Sequence, residues 1–554
     1  MCNIFRVEVF SKEEVLRPKV YPTKPLRILW LDSKSGTGYT SRGHKVNPAM
    51  GGRRTVNPSL LDILETAANE GAEMVLLTGG GLKPAKSGGH WATAETVGWE
   101  HGNHWIDSSN VTARYRHTVT GYTVTVGLAS NWFGSVPVNP EQANKAWGVL
   151  SHFLAKVEPK LSPMRSAGKT GAFLWGFGVT QNFDPPALDG WIADLIHQTS
   201  GQGHIEHLVA GDYAAKHPDC VPLIDPKQTP TIDSFSVIDG RFMYASVCKE
   251  LGVGPVRELK QAAAADLWHE SPYAKARYRV RFTVPQDWNH IGILGMRDET
   301  NRDTWLYPNR PGSRNETWAD HRELIVAANR GWVIEPLEAL QFTEKLRPLD
   351  TFADRVIRLR AEVDRGYGQN FDPTALDAAM AALRAILLHG IGRFAMRGQD
   401  TMMIADSIDG VPAEAMGTLR ELPDGQFSYR SRAGLSEDDQ TFYHPELAAQ
   451  VWGWARANVL DAKTKSGHRT GALNVDPRTL IGIETDAIYT TSLPRWAAPV
   501  EFGGADDGMV GRLRLKGFTK GRMKTPETLE AREALKKKAE KADKSQVWEE
   551  NANV

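Results

Sequence analysis

The chain has 554 residues, which is several times the length of a common domain, so we expect two or more domains. Its 66 Lys and Arg residues balance 66 Asp and Glu residues, which argues against a protein that carries nucleic acid over its whole surface but allows a local basic channel. Three cysteines exclude a disulfide framework and a cysteine-rich zinc site, and they indicate a reducing cytosol. The sequence shows neither an apolar run of about 18 residues nor an apolar signal core, so we expect no membrane span and no secretion.

The N-terminal part of the chain, up to about residue 200, has the pattern of a mixed α/β domain. Apolar and alternating runs predict strands at 27–32, 74–78 and 111–127. Helical spacing of apolar residues predicts helices at 58–71 and 140–157.

Strands and helices also follow one another in the rest of the chain. The predicted elements are a strand at 234–239, a helix that ends near residue 266, a strand at 277–285, helices at 321–330, 350–364, 374–396 and 445–461, and an apolar strand at 479–490. Between Arg512 and Lys544 there are 12 Lys and Arg residues against 5 Asp and Glu residues. This excess predicts a basic surface helix, which is either a solvated face or a contact to nucleic-acid phosphates.

Two carboxylates, Glu484 and Asp486, interrupt the apolar strand at 479–490. Residues i and i+2 of a strand lie on the same face, and two like charges side by side are costly to bury without a cation. A hairpin turn would present them to a divalent metal, and a polar turn without metal is the alternative. Asp239 ends a second apolar strand, where it suits either a metal–triphosphate site or the cap of a following helix.

These acidic positions resemble two motifs of family B DNA polymerases. Asp239, followed after two residues by Phe242-Met243-Tyr244-Ala245-Ser246, is similar to motif A, in which an aspartate precedes Ser-Leu-Tyr-Pro-Ser. Glu484-Thr485-Asp486-Ala487 is similar to motif C, Asp-Thr-Asp-Ser. Both lie in the order that the family has.

A third motif lies between the other two. The segment RAILLHGIGRFA (384–395) is similar to motif B, with Arg384 in place of the family's lysine and Gly392, Arg393 and Phe394 at its end. The segment at 317–345 resembles the corresponding part of the protein-primed subgroup, found in phages and linear elements. As an ordered set, the motifs place the resemblance over about 235–520.

The resemblance implies a role for each of the matching residues. Asp239 and Asp486 are expected to be catalytic and to hold two Mg²⁺ ions, for which Mn²⁺ can substitute, with Glu484 as a supporting acid near the primer end. The residues expected to bind the nucleotide are Arg384, Arg393, Tyr244, Gly240 and Met243. Among them, Arg384 and Arg393 would face the triphosphate, and Tyr244 would pack against the sugar and reject a 2′-hydroxyl. Lys516 and Gly392 are expected to contact DNA.

The family resemblance also implies a fold, which is an α+β multidomain architecture. An RNase H-like α/β domain at 1–205 would precede a right-hand polymerase domain at 206–520, with palm, fingers and a reduced thumb, and a basic helical tail would occupy 521–554. The first domain is expected to be an inactive exonuclease, because the family's Asp-x-Glu on the first strand reads Asp32-Ser33-Lys34 here. Asp107 loosely resembles the second exonuclease motif.

The sequence therefore predicts a DNA-directed DNA polymerase that transfers nucleotides by a two-metal reaction, primed by a protein and lacking proofreading. A template-independent or protein-primed nucleotidyltransferase is one alternative, favoured by Leu388, His389 and Ile391 where motif B has Asn, Ser and Tyr. A catalytically inactive, nucleic-acid-binding homologue is another. Expected partners are a DNA template-primer and dNTPs, with a terminal protein as a candidate, in the cytoplasm of a bacterial or phage-infected cell.

Overall fold

The computed structural model is described here for most of the chain, and its described residues form two compact units. The described ranges are 18–48, 57–83, 90–106, 111–179, 188–201, 217–297, 305–367, 369, 371–396, 398–405, 407–421, 427–434, 437–465, 467–542 and 547–551. Unit 1 comprises the described parts of 181–350 and 444–554, and unit 2 those of 17–180 and 351–443. In unit 2 the segment 351–443 packs with the N-terminal part of the chain, and the predicted domain boundaries at residues 205 and 520 stay a prediction.

The secondary structure combines strands and helices throughout, as the predicted α+β class requires. The strands are β1 Ile28–Asp32, β2 Gly38–Thr40, β3 Lys45–Val46, β4 Met74–Thr78, β5 Trp99–Ile106, β6 Val111–His117, β7 Thr123–Leu128, β8 Thr231–Gly240, β9 Leu251–Lys260, β10 Ala276–Thr283, β11 Met296–Arg297, β12 Trp305–Leu306, β13 Arg314–Asp320, β14 Val333–Leu346, β15 Gly398–Ala405, β16 Arg420–Glu421, β17 Phe427–Gly434, β18 Ala462–Lys463, β19 Arg469–Thr470, β20 Leu480–Glu484, β21 Ala487–Thr490 and β22 Leu513–Lys524. The helices are α1 Leu60–Asn69, α2 Ser130–Phe133, α3 Pro140–Val157, α4 Ala167–Gly176, α5 Gly190–Thr199, α6 Met243–Val247, α7 Gln261–Glu270, α8 His321–Asn329, α9 Asp350–Gly366, α10 Pro373–Phe394, α11 Glu437–Gln440, α12 Pro445–Leu460, α13 Leu529–Lys541 and α14 Val547–Asn551.

Unit 2 is built on a seven-stranded sheet in the order β3-β2-β1-β4-β7-β6-β5. The strands β1, β4 and β7 run parallel to one another, and the outer pairs are antiparallel. Helix α1 begins with a capping box at Ser59 and buries Ile63 and Leu64 in a core with Leu29 and Val75. The strands and helices predicted in this region are confirmed.

Strand β5 carries a histidine that is buried in its neutral form. His104 is 7% exposed, and neither of its ring nitrogens has a hydrogen-bond partner among the described residues. Burial, and then the neighbouring His101 and His90, lower the pKa of His104 from 6.5 to about 4. His104 is therefore protonated less readily in the folded chain than in the unfolded chain.

Acidification is expected to destabilise unit 2 through this residue. As the pH falls below 6.5, the pKa of the histidine in the unfolded chain, His104 is protonated first in the unfolded chain. The free energy of unfolding should therefore decrease by about 2 kcal/mol between pH 6.5 and pH 5. The loss should continue until the pH reaches the folded pKa. Denaturant unfolding at several pH values would measure it for the wild type, for His104→Leu, and for a control at the exposed His44. If the free energy of unfolding of His104→Leu depends on pH as steeply as that of the wild type, His104 is not the cause of the acid destabilisation.

Two helices of unit 2 approach closely through glycines. Helix α10 packs against α4, and a Cβ atom on Gly171 would lie 2.8 Å from the Cα of Gly390. The AGKTG segment at 167–171 is therefore the first part of a packed helix. Within the described part of the chain, α10 is the helix long and apolar enough to span a membrane, but 56% of its apolar window is buried, and core helices meet the same criterion.

The glycine contact predicts opposite changes in stability when glycine is replaced by alanine at two helical positions. Gly171→Ala is expected to destabilise unit 2 by about 1–2 kcal/mol, because backbone must move to admit the methyl group. The matched variant Gly148→Ala, on the open side of α3 with nothing within 4 Å, should stabilise it by about 0.5–1 kcal/mol. Thermal unfolding of both variants tests the contact, and equal effects would contradict it.

Unit 1 contains two four-stranded sheets, in the orders β13-β10-β14-β9 and β20-β21-β8-β22. The helix predicted to end near residue 266 is wrong over Leu251–Lys260, which forms strand β9 and pairs with the long strand β14. A helix begins only at Gln261, where the alanine-rich segment follows. Pairing with a distant strand here outweighs local preference.

The second sheet, β20-β21-β8-β22, is named the Asp239 sheet after the residue at the end of its inner strand β8. The basic helix predicted between Arg512 and Lys544 is wrong over Leu513–Lys524, which forms β22 and pairs with β8. The helix that follows is α13, and it packs on β8 and β22. Its Ala539 is fully buried in the core of this sheet with Phe235, Val237 and Tyr489.

Candidate active site

Asp239 lies near the end of β8, between two antiparallel neighbours. Its backbone pairs with Ala487 of β21 on one side and with Arg514 of β22 on the other. Because paired residues in antiparallel strands point to the same face, these three side chains share one face of the sheet. Asp239 is 2% exposed. The predicted placement of this aspartate at a strand end before a helix is confirmed.

The hairpin between β20 and β21 brings Asp486 beside Asp239. The two strands pair up to Glu484 and Ala487, and Thr485 takes a positive φ of 52° in the turn. The N–H of Gly240 donates to the carbonyl of Asp486 at 2.9 Å. A side chain on Gly240 would place its Cβ 3.2 Å from the Cβ of Asp486. Glycine at this position therefore leaves room for the close approach of the two acidic residues.

The pair of aspartates suits a hard divalent cation. Both residues are buried, with Asp486 6% exposed, and both offer oxygen ligands of the kind that Mg²⁺ prefers. Two like charges buried side by side need a compensating cation. Among the described residues, no group of three or more His, Cys, Asp or Glu side chains could hold a metal ion. The site thus offers a two-carboxylate set, to which water or substrate oxygens would add.

Glu484, the third predicted acid, has its carboxylate engaged by other protein groups. The Tyr489 hydroxyl donates to its Oε2 at 2.6 Å, and Arg532 and Lys536 of α13 lie 3.1 and 3.3 Å from the same oxygen. The Arg532 side chain is 1% exposed and lies over the Tyr489 ring at 4.5 Å. Burial, and then the charge of Glu484, raise the pKa of Tyr489 well above its usual value, so the hydroxyl keeps its proton.

Lys516 lies between the site and helix α13. A shift in register between Leu515 and Gly517 marks an irregularity in β22 at this lysine. The Lys516 Nζ is 3.9 Å from Asp239 Oδ2 and 3.1 Å from Glu540 Oε1 on α13. The predicted DNA-contacting lysine therefore lies within ion-pair distance of the first aspartate.

The residues after β8 predicted to bind the nucleotide lie on helix α6. Phe242 has a left-handed conformation, with φ of 49° and ψ of 47°, and α6 begins directly after it. Met243 and Tyr244 are both buried, and α6 packs on α12. The sheet and this turn thus place Asp239, Gly240, Met243 and Tyr244 together in unit 1.

The motif B residues lie in unit 2, on α10. Arg384 is half-buried on this helix, and Gly392 and Arg393 lie near its C-terminal end. The Arg393 side chain is 11% exposed, and its guanidinium lies 2.5 Å from Asp439 Oδ1. Within unit 2, Arg393 therefore already has a carboxylate partner.

Of the two acidic residues predicted in the N-terminal domain, the structure describes only Asp32. Asp32 ends β1, and its Oδ1 accepts hydrogen bonds from the backbone N–H groups of Lys34 and Ser35 at 3.0 and 2.7 Å. The Lys34 side chain is exposed. Asp107 lies outside the described residues.

Sequence reasoning missed the part that α13 plays in this site. Arg532 and Lys536 are spaced i and i+4, and Leu535 and Ala539 have the same spacing on the adjoining face. That pattern indicates an amphipathic helix rather than a fully solvated one. It could have shown that the helix packs, although not that Glu484 is its partner.

Comparisons with protein-family models and with curated protein sequences give no match. Among solved structures, the chain is similar to phi29 DNA polymerase in an orthorhombic crystal form, with a TM-score of 0.50 and 11% identity over 90% of this chain and 85% of that one. The phi29 DNA polymerase complex with primer-template DNA and incoming nucleotide substrates gives a TM-score of 0.49 and 11% identity over 90% of this chain and 86% of that one. At this identity the likeness is one of fold, and it confirms the resemblance that the motifs indicated. The chain has a mixed α/β multidomain architecture with the fold of phi29 DNA polymerase.

Proposed function

We propose that the protein is a DNA-directed DNA polymerase that elongates a primer from dNTPs. The single observation that carries this proposal is the buried pair Asp239 and Asp486, which strand β8 and the neighbouring β20–β21 turn bring together in a chain with a polymerase fold. In this reading the two aspartates hold the catalytic Mg²⁺ ions. Bound metal ions supply charge stabilisation to the attacking and leaving oxygens in nucleotidyl transfer.

The motif resemblance supports roles for the other predicted site residues. The Asp239 sheet is the palm, and α10, which carries Arg384, belongs to the fingers. Tyr244, fixed on α6 by packing against α12, limits the space beside the sugar of the incoming nucleotide. Arg384 binds the triphosphate, for which a guanidinium can offer two parallel hydrogen bonds. A protein hydroxyl as primer rests on the motif resemblance alone.

We assign the seven-stranded sheet of unit 2 to an RNase H-like domain without proofreading activity. Its inner strands β1, β4 and β7 are parallel, with antiparallel β2 and β3 beyond β1, and this order supports the assignment. The acid needed two residues after Asp32 is replaced by Lys34. The Asp32 carboxylate instead accepts turn hydrogen bonds.

A second candidate function is a catalytically inactive homologue that binds nucleic acid. Two contacts favour it: Glu484 is engaged by Arg532 and Lys536, and Lys516 lies close to Asp239. Both contacts place cations where a polymerase needs carboxylates available to metal. Tyr489 donates a further hydrogen bond to Glu484. Of the three acidic residues of the site, Glu484 is therefore the least available to bind a metal ion.

Primer extension with Mg²⁺ tests these alternatives. The wild-type protein is given one dNTP at a time on four templates that differ in the first template base, beside an unprimed template and a single-stranded primer. Incorporation that follows the template base supports the polymerase. Addition to the single-stranded primer without template coding would identify a template-independent transferase. DNA binding without incorporation, also with Mn²⁺ and a protein hydroxyl as primer, would identify the inactive homologue.

A further inference from the structure

Helix α13 is fixed against strand β22 next to the aspartate pair. A Cβ atom on Gly517 would lie 2.8 Å from the backbone carbon of Ala539 and 2.8 Å from the nitrogen of Glu540. Only glycine allows the helix backbone to lie this close to the strand. Ala539 is fully buried, so the adjoining Glu540 has a defined position relative to Lys516.

Lys516 lies near two carboxylates that differ in how deeply they are buried. Its Nζ lies 3.9 Å from Asp239 Oδ2, on a side chain that is 3% exposed, and 3.1 Å from Glu540 Oε1, on a side chain that is 21% exposed. A lysine ammonium is a compact charge on a flexible stem, so a small rotation moves it between the two. A divalent cation at Asp239 would repel this ammonium, and Glu540 offers it an alternative partner.

We propose that Lys516 is a positioning residue shared between Asp239 and Glu540, and that Glu540 thereby sets the affinity of the aspartate pair for a divalent cation. With Glu540 present, the ammonium is drawn away from Asp239 when the cation binds. Without Glu540, the ammonium stays beside Asp239 and competes with the cation. This proposal rests on the proposed polymerase function, because it assumes that Asp239 is a metal ligand.

The contacts predict opposite effects for two substitutions. Glu540→Gln should weaken cation binding about threefold to fivefold, and Lys516→Met should tighten it by a similar factor, as expected for one partly exposed ion pair. The double variant should bind like Lys516→Met, because Glu540 acts only through the lysine. A matched control is Glu527→Gln, which removes the pairing of Glu527 with Lys524, an ion pair between exposed side chains before α13.

Mn²⁺ titration of the full-length protein, followed by the electron paramagnetic resonance signal of free Mn²⁺ without DNA or nucleotide, measures these affinities directly. Asp486→Ala identifies the sites that belong to the aspartate pair. Thermal unfolding shows that each variant is folded, and the Lys516→Met result stands by itself if Glu540→Gln does not fold. Tightening by Lys516→Met, and weakening by Glu540→Gln that disappears in the double variant, would support the proposal.

Three results would overturn it. They are equal affinities in all variants, weaker binding by Lys516→Met, or a Glu540→Gln effect that persists in the double variant. Template-directed primer extension by the wild type, measured in parallel, separates this failure from failure of the proposed function. If the wild type extends primers while these affinities are equal, the proposed polymerase function is supported and the proposed role of Lys516 is wrong. If it neither binds Mn²⁺ nor extends primers, both proposals fall.

Discussion

Replacing Asp486 with alanine is expected to lower the rate of nucleotide incorporation by about a thousandfold or more, because several kcal/mol of transition-state stabilisation are lost with a metal-binding carboxylate. The fold should not weaken. Asp239 and Asp486 are both buried, and removing one of two like charges relieves their repulsion. Single-nucleotide incorporation with a primed template measures the rate, and thermal unfolding measures the stability.

The matched control for this substitution lies on the strand that carries Asp239. Asp233 is exposed in β8, so Asp233→Ala removes a carboxylate from the same strand at a distance from the hairpin turn. Its incorporation rate should stay within about twofold of wild type, since exposed surface substitutions have small effects. An Asp486→Ala protein that kept more than a tenth of wild-type activity would remove Asp486 from the catalytic site.

Neutralising Glu484 is expected to have the largest effect on the stability of unit 1. In Glu484→Gln, Arg532 remains buried over Tyr489 with one charged partner fewer, and the expected loss is about 2–3 kcal/mol. This value is reduced from that of a fully buried pair because the Glu484 side chain is 32% exposed. Denaturant unfolding measures the loss, and hydrogen exchange of β20 and β21 peptides assigns it to the Asp239 sheet.

A double-mutant cycle distinguishes this ion pair from simple loss of packing. Glu484→Gln combined with Arg532→Met removes both charges, so it should be less destabilising than the sum of the two single variants. The control Glu527→Gln, in an exposed pair with Lys524, should change stability by less than about 0.5 kcal/mol. Strict additivity of the two substitutions would show that Glu484 and Arg532 are not coupled.

Much of the aspartate site could be predicted from the sequence because its signals are local. The apolar runs before Asp239 and around Glu484 predict strands, and the polar interruption predicts a turn. The order of the three motifs then adds the polymerase resemblance, which the fold confirms. One local rule failed: alternation would put Glu484 and Asp486 on one face, but the strand ends at Glu484 and Asp486 belongs to the turn.

What could not be predicted depends on partners that are distant in the chain. Strands β9 and β22 contain charged residues and glycines, and their pairing with β14 and β8 decides their conformation. The partners of Glu484 on α13 lie roughly 50 residues further along the chain, and no spacing rule links them. The same holds for Lys516 and Glu540, whose proximity depends on Gly517.

The contact between Gly171 and Gly390 also has a consequence for synthesis on the ribosome. These residues meet in unit 2, although roughly 200 residues of intervening chain, much of it unit 1, separate them. At about 5–20 residues per second, a nascent chain that has completed α4 waits roughly 10–40 s before α10 is made. During that time the apolar face of α4 lacks its helical neighbour. The N-terminal part of this protein therefore completes its core only late in translation. Chaperone protection of the growing chain is most useful before that point.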